Sequence, residues 1–303
     1  MISGIFRSGT TIIGKATGSF KNVEYSFEPP LAFHLDYLLQ NNLIKEKVAS
    51  DLLQTYFAED VVFNFHHGRN YNFRERDASY IFNMKPRNEI EARWQKVKGV
   101  SDAIKLMREL GSRLVFKVPA TYSLIPPLLD NFDGFKVIEV QRNLKSIWNS
   151  VMAKGWFMDT TLSEEGDVAS WPLMDTPEAR NVPYYFKGNV KEWNSWNPET
   201  RCMQIINSLV ERRLEMQKFI EKKFPKNYLV LRYEDLLDSP YEEIKKIADF
   251  AGMEFTSKTT EIINTIKPTV RQYPDAMIET CSPSIKNSFL QYNKMLGYRD
   301  EES

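Results

Sequence analysis

The sequence contains few of the residues that staple small secreted domains or bind metal ions. Only two cysteines, Cys202 and Cys281, and three histidines occur among its 303 residues. Two cysteines cannot form a disulfide framework, and these two lack the spacing of metal ligands. The scarcity of cysteine fits a reducing compartment, although the sequence leaves a single bridge between Cys202 and Cys281 open.

An excess of charge of one sign and a long hydrophobic run are also absent. Forty basic residues balance forty acidic ones, so no field of the whole molecule attracts nucleic acid or an anionic membrane. No run approaches the ~20 apolar residues of a membrane span, and the amino terminus begins with an apolar run typical of a strand rather than of a signal peptide. We therefore expect a cytoplasmic enzyme without a nucleic-acid or membrane partner, and the sequence does not indicate its oligomeric state.

Short apolar runs alternate with longer amphipathic ones along the chain. The predicted strands are Met1–Phe6, Val61–Phe65, Arg113–Val118, Phe135–Gln141 and Tyr228–Leu231. Helical periodicity is found in Thr11–Phe20, Ile90–Leu110, Leu124–Asn131, Asn143–Lys154, Glu199–Phe224 and Tyr241–Ala251. This alternation predicts an α/β fold with a central, mainly parallel sheet flanked by helices, in which ligands lie at the carboxyl ends of the strands.

The segment from about residue 155 to 198 does not follow this pattern. It is irregular, contains several prolines and carries four of the six tryptophans: Trp156, Trp171, Trp193 and Trp196. Long connections inside a compact domain usually serve a function. We expect a single domain over residues 1–303, with this segment either facing the substrate or only pinning a long loop to the core.

The loop from Gly4 to Thr11 joins a predicted strand to a predicted helix. Its frame of Gly4, four residues, Gly9 and two hydroxyl residues nearly matches the nucleotide-binding P-loop, which predicts a P-loop-like three-layer fold. Thr10 stands where the P-loop lysine would reach the terminal phosphates of ATP, and the positive charge lies earlier, at Arg7. The other predicted strand ends carry Lys117 and Arg142 rather than the acidic residues that hold Mg²⁺. We therefore expect an anion site that works without a metal ion.

Arg7, Ser8, Gly9, Thr10 and Thr11, placed directly after a strand, resemble the loop that binds the 5′-phosphosulfate in sulfotransferases dependent on 3′-phosphoadenosine 5′-phosphosulfate (PAPS). The version with arginine is typical of tyrosylprotein, bacterial and many carbohydrate sulfotransferases. The resemblance implies PAPS as the sulfuryl donor and 3′,5′-ADP as the product.

A second segment of the chain is similar to the part of the same family that binds the 3′-phosphate. Arg142 directly follows the predicted strand Phe135–Gln141, Asn143 is a candidate helix N-cap, and Ser150 follows Arg142 by eight positions. In the family an arginine precedes a serine by the same spacing, so the resemblance implies that Arg142 and Ser150 bind the 3′-phosphate. Leu144 stands where proline is usual. A third match, from Tyr228 to Leu237, implies that Tyr233 lies near the adenosine.

The resemblance also implies the catalytic residues. Lys117, in a Lys-x-Pro context, corresponds to the family lysine that contacts the transferred group. The histidine that small-molecule enzymes carry shortly after this lysine is absent, whereas Glu28, before two prolines and 21 residues after Arg7, is similar to the glutamate base of the carbohydrate and tyrosylprotein enzymes. His66 and His67 are the rival bases, and His34 is predicted on a helix face.

The resemblance implies a sulfotransferase that moves a sulfuryl group from PAPS to a hydroxyl of a glycan, a peptide or a natural product, with Glu28 as base and Arg7 and Lys117 supplying charge. A kinase-like P-loop phosphotransferase and a non-catalytic nucleotide-binding module are the alternatives. A third basic contact to the 3′-phosphate stays open among Lys267, Arg271 and Lys286.

Overall fold

A computed structural model describes residues 1–162, 173–174, 182–267 and 275–299. Its strands are short apolar runs. They are β1 (Ile2–Gly4), β2 (Val23–Phe27), β3 (Arg113–Lys117), β4 (Val137–Gln141), β5 (Leu173–Met174), β6 (Val182–Pro183) and β7 (Tyr228–Arg232). Five of them form the central sheet, and β5 and β6 form a separate antiparallel pair.

The central sheet has the strand order β2-β3-β1-β4-β7, and every adjacent pair is parallel. The register pairs Ile2 of β1 with Lys117 and Ile138 of its two neighbours. Because all five strands run parallel, their carboxyl ends lie at one edge of the sheet. The connections between them, mostly helical, return the chain to the opposite edge. The segments that leave these strands, including those with Arg7, Glu28 and Arg142, therefore meet at that edge.

The helices connect the strands and extend the fold at the carboxyl end. They are α1 (Thr10–Gly18), α2 (Pro30–Gln40), α3 (Glu46–His67), α4 (Arg87–Lys96), α5 (Val100–Glu109), α6 (Ile125–Asn131), α7 (Leu144–Met152), α8 (Asp159–Leu162), α9 (Val190–Trp193), α10 (Pro198–Lys223), α11 (Tyr233–Asp238), α12 (Pro240–Ala251), α13 (Ser257–Ile263) and α14 (Pro283–Met295). Helix α12 begins at Pro240, one residue before the predicted start, and ends as predicted at Ala251, where Gly252 follows in the left-handed conformation.

Hydrophobic clusters cover both faces of the sheet. On one face Val140 packs in a cluster with Ile13 of α1 and Ile244 of α12. On the other face Val137 belongs to a larger cluster built with α6, α7, α10 and α14. Since alternate residues of a strand point to opposite faces, a strand buried on both faces has to be apolar nearly throughout. The predicted P-loop-like α/β fold with three layers is confirmed.

One of the predicted strands is wrong, and one strand of the sheet is missing from the prediction. Val61–Phe65 is not a strand but part of the 22-residue helix α3, in which Val61, Asn64 and Phe65 are buried at helical spacing. A short apolar run has no periodicity that distinguishes the two structures. The strand β2 was not predicted because Glu24 and Ser26 interrupt its apolar residues. Glu24 is tolerated inside because it forms an ion pair with Arg93 of α4 at 2.9 Å.

The predicted helix Ile90–Leu110 consists of two helices, α4 and α5. The break falls at Val97–Gly99, where Gly99 has an extended backbone and Asp102 accepts the amide of Lys98 at 2.9 Å. A carboxylate in the first turn that accepts an amide from the residues before the helix stabilises a new helix start and so favours the break.

The irregular segment after residue 155 contains the short helices α8 and α9 and the strands β5 and β6. Trp193 is 1% exposed and packs edge-on against Phe186 and Trp196 at 5.2 and 6.5 Å between ring centroids. Trp193 belongs to the large hydrophobic cluster on one face of the sheet and Trp196 packs against it, so these two tryptophans anchor the segment to the core. Trp171 lies outside the described residues.

Candidate active site

The loop after β1 presents hydrogen-bond donors for which the described residues supply no acceptor. The amides of Gly9, Thr10 and Thr11 lie at the start of α1, where a helix has no preceding turn to accept them. The Ser8 hydroxyl is buried and has no hydrogen-bond partner among the described residues. Amides at a helix start, aided by the helix dipole, bind anions. The loop therefore fits a phosphate or phosphosulfate group.

Two glycines give this loop its shape. At Gly4, with φ +154°, a Cβ atom would lie 2.5 Å from the carbonyl oxygen of Val140. At Gly9, with φ +100°, it would lie 2.2 Å from the ring of Tyr233. Neither backbone nor ring leaves room for a side chain, so both positions require glycine. Tyr233, at the start of α11 after β7, thus closes directly onto the loop.

Arg7 connects the loop to the helix that follows β4. Its Nε donates to the Ser150 hydroxyl of α7 at 3.0 Å, and its carbonyl oxygen accepts from Arg142 Nη1 at 2.8 Å. Its guanidinium lies 5.8 Å from the ring centroid of Trp156. The two segments that the sequence assigns to the two phosphate groups are therefore joined directly, through Arg7, Arg142 and Ser150.

Arg142 lies at the carboxyl end of β4 and is braced from several sides. Its guanidinium is 4.6 Å from the ring centroid of Tyr233, and burial lowers its pKa, an effect that the nearby Tyr233 and Glu234 oppose. The next residue, Asn143, caps α7 by accepting the amides of Lys145 and Ser146 at 2.9 and 3.4 Å. Glu234 accepts the Asn143 amide at 3.0 Å. The carboxylate of Glu234 therefore holds the turn that presents Arg142.

Glu28 and Lys117 form an ion pair at the carboxyl ends of the neighbouring strands β2 and β3. The Lys117 ammonium donates to Glu28 Oε1, and the Glu28 amide donates to the Lys117 carbonyl at 2.9 Å. The Lys117 side chain is 2% exposed and that of Glu28 is 36% exposed, so only the carboxylate reaches solvent. Burial lowers the pKa of Lys117, and the charge of Arg7 lowers it further while Glu28 opposes the shift. Positive charge from Arg7 and Lys117 is thus concentrated beside one accessible carboxylate.

A comparison with protein families matches residues 1–271 to the model described as the sulfotransferase domain. The chain belongs to the sulfotransferase domain family. Because this match covers most of the chain, it includes every element that contributes to the site.

One solved structure with a TM-score above 0.5 shares the fold of this chain. The sulfotransferase domain from the curacin biosynthetic pathway is 15% identical with a TM-score of 0.52, over 98% of this chain and 96% of that chain. Two further matches are the domain from the Synechococcus PCC 7002 olefin synthase (13%, 0.46, covering 98% and 94%) and the sulfotransferase STF1 from Mycobacterium tuberculosis H37Rv (14%, 0.45, covering 96% and 75%). No curated protein is significantly similar in sequence. At these identities a shared fold says nothing about a shared acceptor.

The two histidines predicted as alternative bases, His66 and His67, lie on the last turn of α3. Their rings contact each other at 3.6 Å between centroids, and His67 also lies against Phe63. Among the described residues, no hydrogen bond joins either imidazole to the pair of Glu28 and Lys117. His34 lies on α2, as predicted, and its Nδ1 is 2.7 Å from the Pro30 carbonyl.

Two aromatic residues of the site were not predicted individually. The Phe27 ring covers the Lys117 ammonium at 4.2 Å, and Trp156 packs edge-on against Phe6 at 5.7 Å while it faces Arg7. Adjacency to Glu28 is a signal that could have identified Phe27. Nothing in the sequence distinguishes Trp156 from Trp193, because burial depends on the tertiary fold.

The described residues contain no group of three or more histidine, cysteine or acidic side chains that could hold a metal ion. None of the helices in these ranges is long and apolar enough to span a membrane. Of the candidates for a third basic contact, Lys286 forms an ion pair with Glu279 at 2.8 Å. Arg271 lies outside the described residues.

Proposed function

We propose that this sulfotransferase transfers a sulfuryl group from PAPS to an acceptor hydroxyl, with Glu28 as the general base. One observation carries the proposal. The carboxylate of Glu28, the buried ammonium of Lys117 and the loop of Arg7 meet at one edge of the sheet, and Arg7 is bonded to both residues assigned to the 3′-phosphate.

The residues present fit such a sulfuryl donor. The unsatisfied amides of Gly9 to Thr11 and the orphaned hydroxyl of Ser8 would hold its 5′ end. Arg142 and Ser150 would hold the 3′-phosphate by charge-assisted hydrogen bonds, and the Tyr233 ring would lie near the adenosine. A ligand with two separate phosphate groups suits this arrangement better than a nucleotide with one polyphosphate chain.

When bound, PAPS supplies a sulfuryl group on a good leaving group. The chain has to take a proton from the acceptor and to place positive charge near the bridging oxygen. Glu28 is the accessible carboxylate that can take the proton, and general bases contribute typically ~10²–10⁴-fold to the rate. The buried Lys117 and the half-buried Arg7 provide positive charge at fixed positions, which costs no reorganisation during the reaction.

The nature of the nucleotide is tested by thermal unfolding. At about 100 times its Kd, 3′,5′-ADP stabilises a protein by about 2.7 kcal/mol, so we expect it to raise Tm by several degrees with EDTA present. ATP with Mg²⁺ should not do so, because Thr10 replaces the lysine that would reach its terminal phosphates. Stabilisation by ATP with Mg²⁺ alone would favour the kinase-like alternative.

The acceptor is proposed only as a class: a hydroxyl of a glycan, a peptide or a natural product. The half-buried rings of Phe27 and Trp156 lie beside Lys117 and Arg7, where flat sugar or aromatic faces can stack. A screen of these classes at saturating PAPS, read by mass spectrometry for an added sulfuryl group, identifies it. Sulfuryl transfer to any acceptor in these classes would also rule out the alternative that the chain is a non-catalytic nucleotide-binding module.

A further inference from the structure

The two ends of the proposed PAPS site depend on strands that do not touch each other. Lys117 ends β3 and Arg142 follows β4, and β1 lies between these strands in the sheet. A site that holds both ends of one ligand needs the two strand ends fixed relative to each other within a fraction of an ångström. The described residues contain a buried polar cluster that links them.

The cluster is centred on Glu139, a completely buried residue in the middle of β4. Its Oε1 accepts from the Tyr122 hydroxyl and from Arg213 Nε, both at 3.1 Å. The same guanidinium donates from Nη2 to Gln141 Oε1 at 2.8 Å, and Gln141 Nε2 donates to the Leu296 carbonyl at 2.7 Å. The side chains of Arg213 and Glu139 are 3% and 0% exposed.

Two members of this cluster, Gln141 and Tyr122, each stand next to one half of the site. Gln141 directly precedes Arg142. Tyr122 lies at the end of the turn that leaves β3 after Lys117. Arg213, on α10, therefore holds β4 through two side chains and, through Glu139, also holds the turn after β3.

We propose that Arg213 and Glu139 are positioning residues. They keep the turn after Lys117 and the turn at Arg142 (the Lys117 turn and the Arg142 turn) at the relative position that the two ends of PAPS require. The inference rests on the proposed function. A buried ion pair is by itself weak evidence of a stabilising role, because replacing both partners by apolar residues often leaves the stability of a protein unchanged or raises it. What distinguishes this pair is its connection to both ends of the site.

The described part of the chain also contains a second buried cluster with the same chemistry, which supplies a matched control. Arg93 of α4 contacts Glu24 of β2 at 2.9 Å, and the Tyr71 hydroxyl donates to Glu24 at 2.7 Å. Its arginine and glutamate are 5% and 2% exposed. Its side-chain bonds do not involve either phosphate-binding segment.

The central cluster should respond to pH. Burial raises the pKa of Glu139 to about 7, against the opposing effects of Arg213 and Tyr122. Among the residues that the structure describes, Tyr228 of β7 also faces the cluster. Glu139 Oε2 has no hydrogen-bond partner among the described residues, nor has the hydroxyl of Ser3, its register neighbour on β1. Oε2 can therefore take a proton without breaking a bond, and Arg213 then loses its charged partner.

The test measures 3′,5′-ADP binding by isothermal titration calorimetry in the full chain, with Tm alongside. We expect Arg213→Met to weaken binding about tenfold, which corresponds to about 1.4 kcal/mol. Arg93→Met should lower Tm to a similar extent but leave the Kd unchanged. Arg213→Lys keeps the positive charge but not the guanidinium that donates to both Glu139 and Gln141, so it should bind 3′,5′-ADP more tightly than Arg213→Met. It replaces Arg213→Met in the test if that variant does not fold.

A pH series separates positioning from general support. Between pH 8 and pH 6 the wild-type protein should lose more affinity than Glu139→Gln, whose remaining loss reports protonation of the nucleotide's own phosphates. Equal pH profiles, an unchanged Kd in both Arg213 variants, or an equal loss in Arg93→Met would each overturn the inference. If the wild-type protein does not bind 3′,5′-ADP at all, the proposed function fails instead.

Discussion

Arg7, Glu28 and Ala120 have left-handed backbone conformations, with φ of +63°, +46° and +63°. For residues with a side chain this conformation costs roughly 1–2 kcal/mol each. All three follow carboxyl ends of adjacent strands, and each is held by a hydrogen bond to another segment of the site. Arg142 donates to the Arg7 carbonyl, Glu28 donates to the Lys117 carbonyl, and Ala120 donates to the Gly4 carbonyl at 2.9 Å. The loops of the site thus hold one another in strained conformations, which is typical of functional sites.

Gly9 provides a test at the scale of one residue. In Gly9→Ala the new methyl would overlap the Tyr233 ring, so the loop or the ring must move. We expect the affinity for 3′,5′-ADP, measured by calorimetry, to fall at least about tenfold, or about 1.4 kcal/mol. Gly111→Ala is the control, because Gly111 also has positive φ, +59°, but has no atom within 4 Å of the added carbon. An equal loss of affinity in both variants would contradict the packing of Tyr233 on the loop.

At the scale of secondary structure, the sequence predicts elements well where apolar residues are continuous. β3, β4 and β7 agree with prediction to within two residues, since buried parallel strands leave no polar positions. The sequence does not predict β2, because Glu24 looks incompatible with a buried strand. The ion pair with Arg93 that allows Glu24 to be buried is a tertiary contact, which no local pattern indicates. Val61–Phe65 was misassigned because five apolar-rich residues are shorter than two helical turns.

Helix α7 offers a prediction at this scale, because its N-cap stands between the Arg142 turn and Ser150. Asn143→Ala removes a side chain that accepts two amides, which should cost about 1 kcal/mol of the free energy of unfolding. It should also weaken 3′,5′-ADP binding, because Arg142 and Ser150 lose their common support. Asn197→Ala removes the corresponding cap of α10. Denaturant unfolding should show similar losses in both variants, and calorimetry a weaker affinity in Asn143→Ala alone.

At the scale of the whole molecule, the prediction of the site depended on motifs rather than on the fold. Arg7, Arg142, Ser150 and Tyr233 were assigned by resemblance and are brought together at one sheet edge. The ion pair of Glu28 with Lys117 could not be predicted, because the strand β2 that places Glu28 beside β3 was not recognised. Contacts across the sheet depend on strand order, which sequence spacing does not specify.

Two buried acids lead to a prediction about stability and pH. Burial raises the pKa of Asp36 from 3.8 to about 6 and that of Glu139 from 4.5 to about 7. At a pH between the unfolded and the folded pKa of each acid, the folded state holds a proton that the unfolded state has released. The free energy of unfolding therefore falls as pH rises from about 4 to about 7 and then levels off.

Asp36→Asn and Glu139→Gln should each flatten this fall in Tm measured across the pH series. Glu254→Gln should leave it nearly unchanged, because that carboxylate is exposed and its pairing with Lys21 is screened by solvent. Curves of the first two variants that run parallel to the wild-type curve would rule out this origin of the pH dependence.

The most direct measurement for the central proposal is turnover of Glu28→Gln with PAPS and an acceptor from the screen, beside its affinity for 3′,5′-ADP. The substitution keeps the shape of the side chain and its hydrogen bond to Lys117 but removes the base. We predict a loss of turnover of about 10²-fold or more, with the Kd for 3′,5′-ADP unchanged within about twofold. Near-normal turnover in Glu28→Gln would contradict the assignment of Glu28 and direct attention to His67.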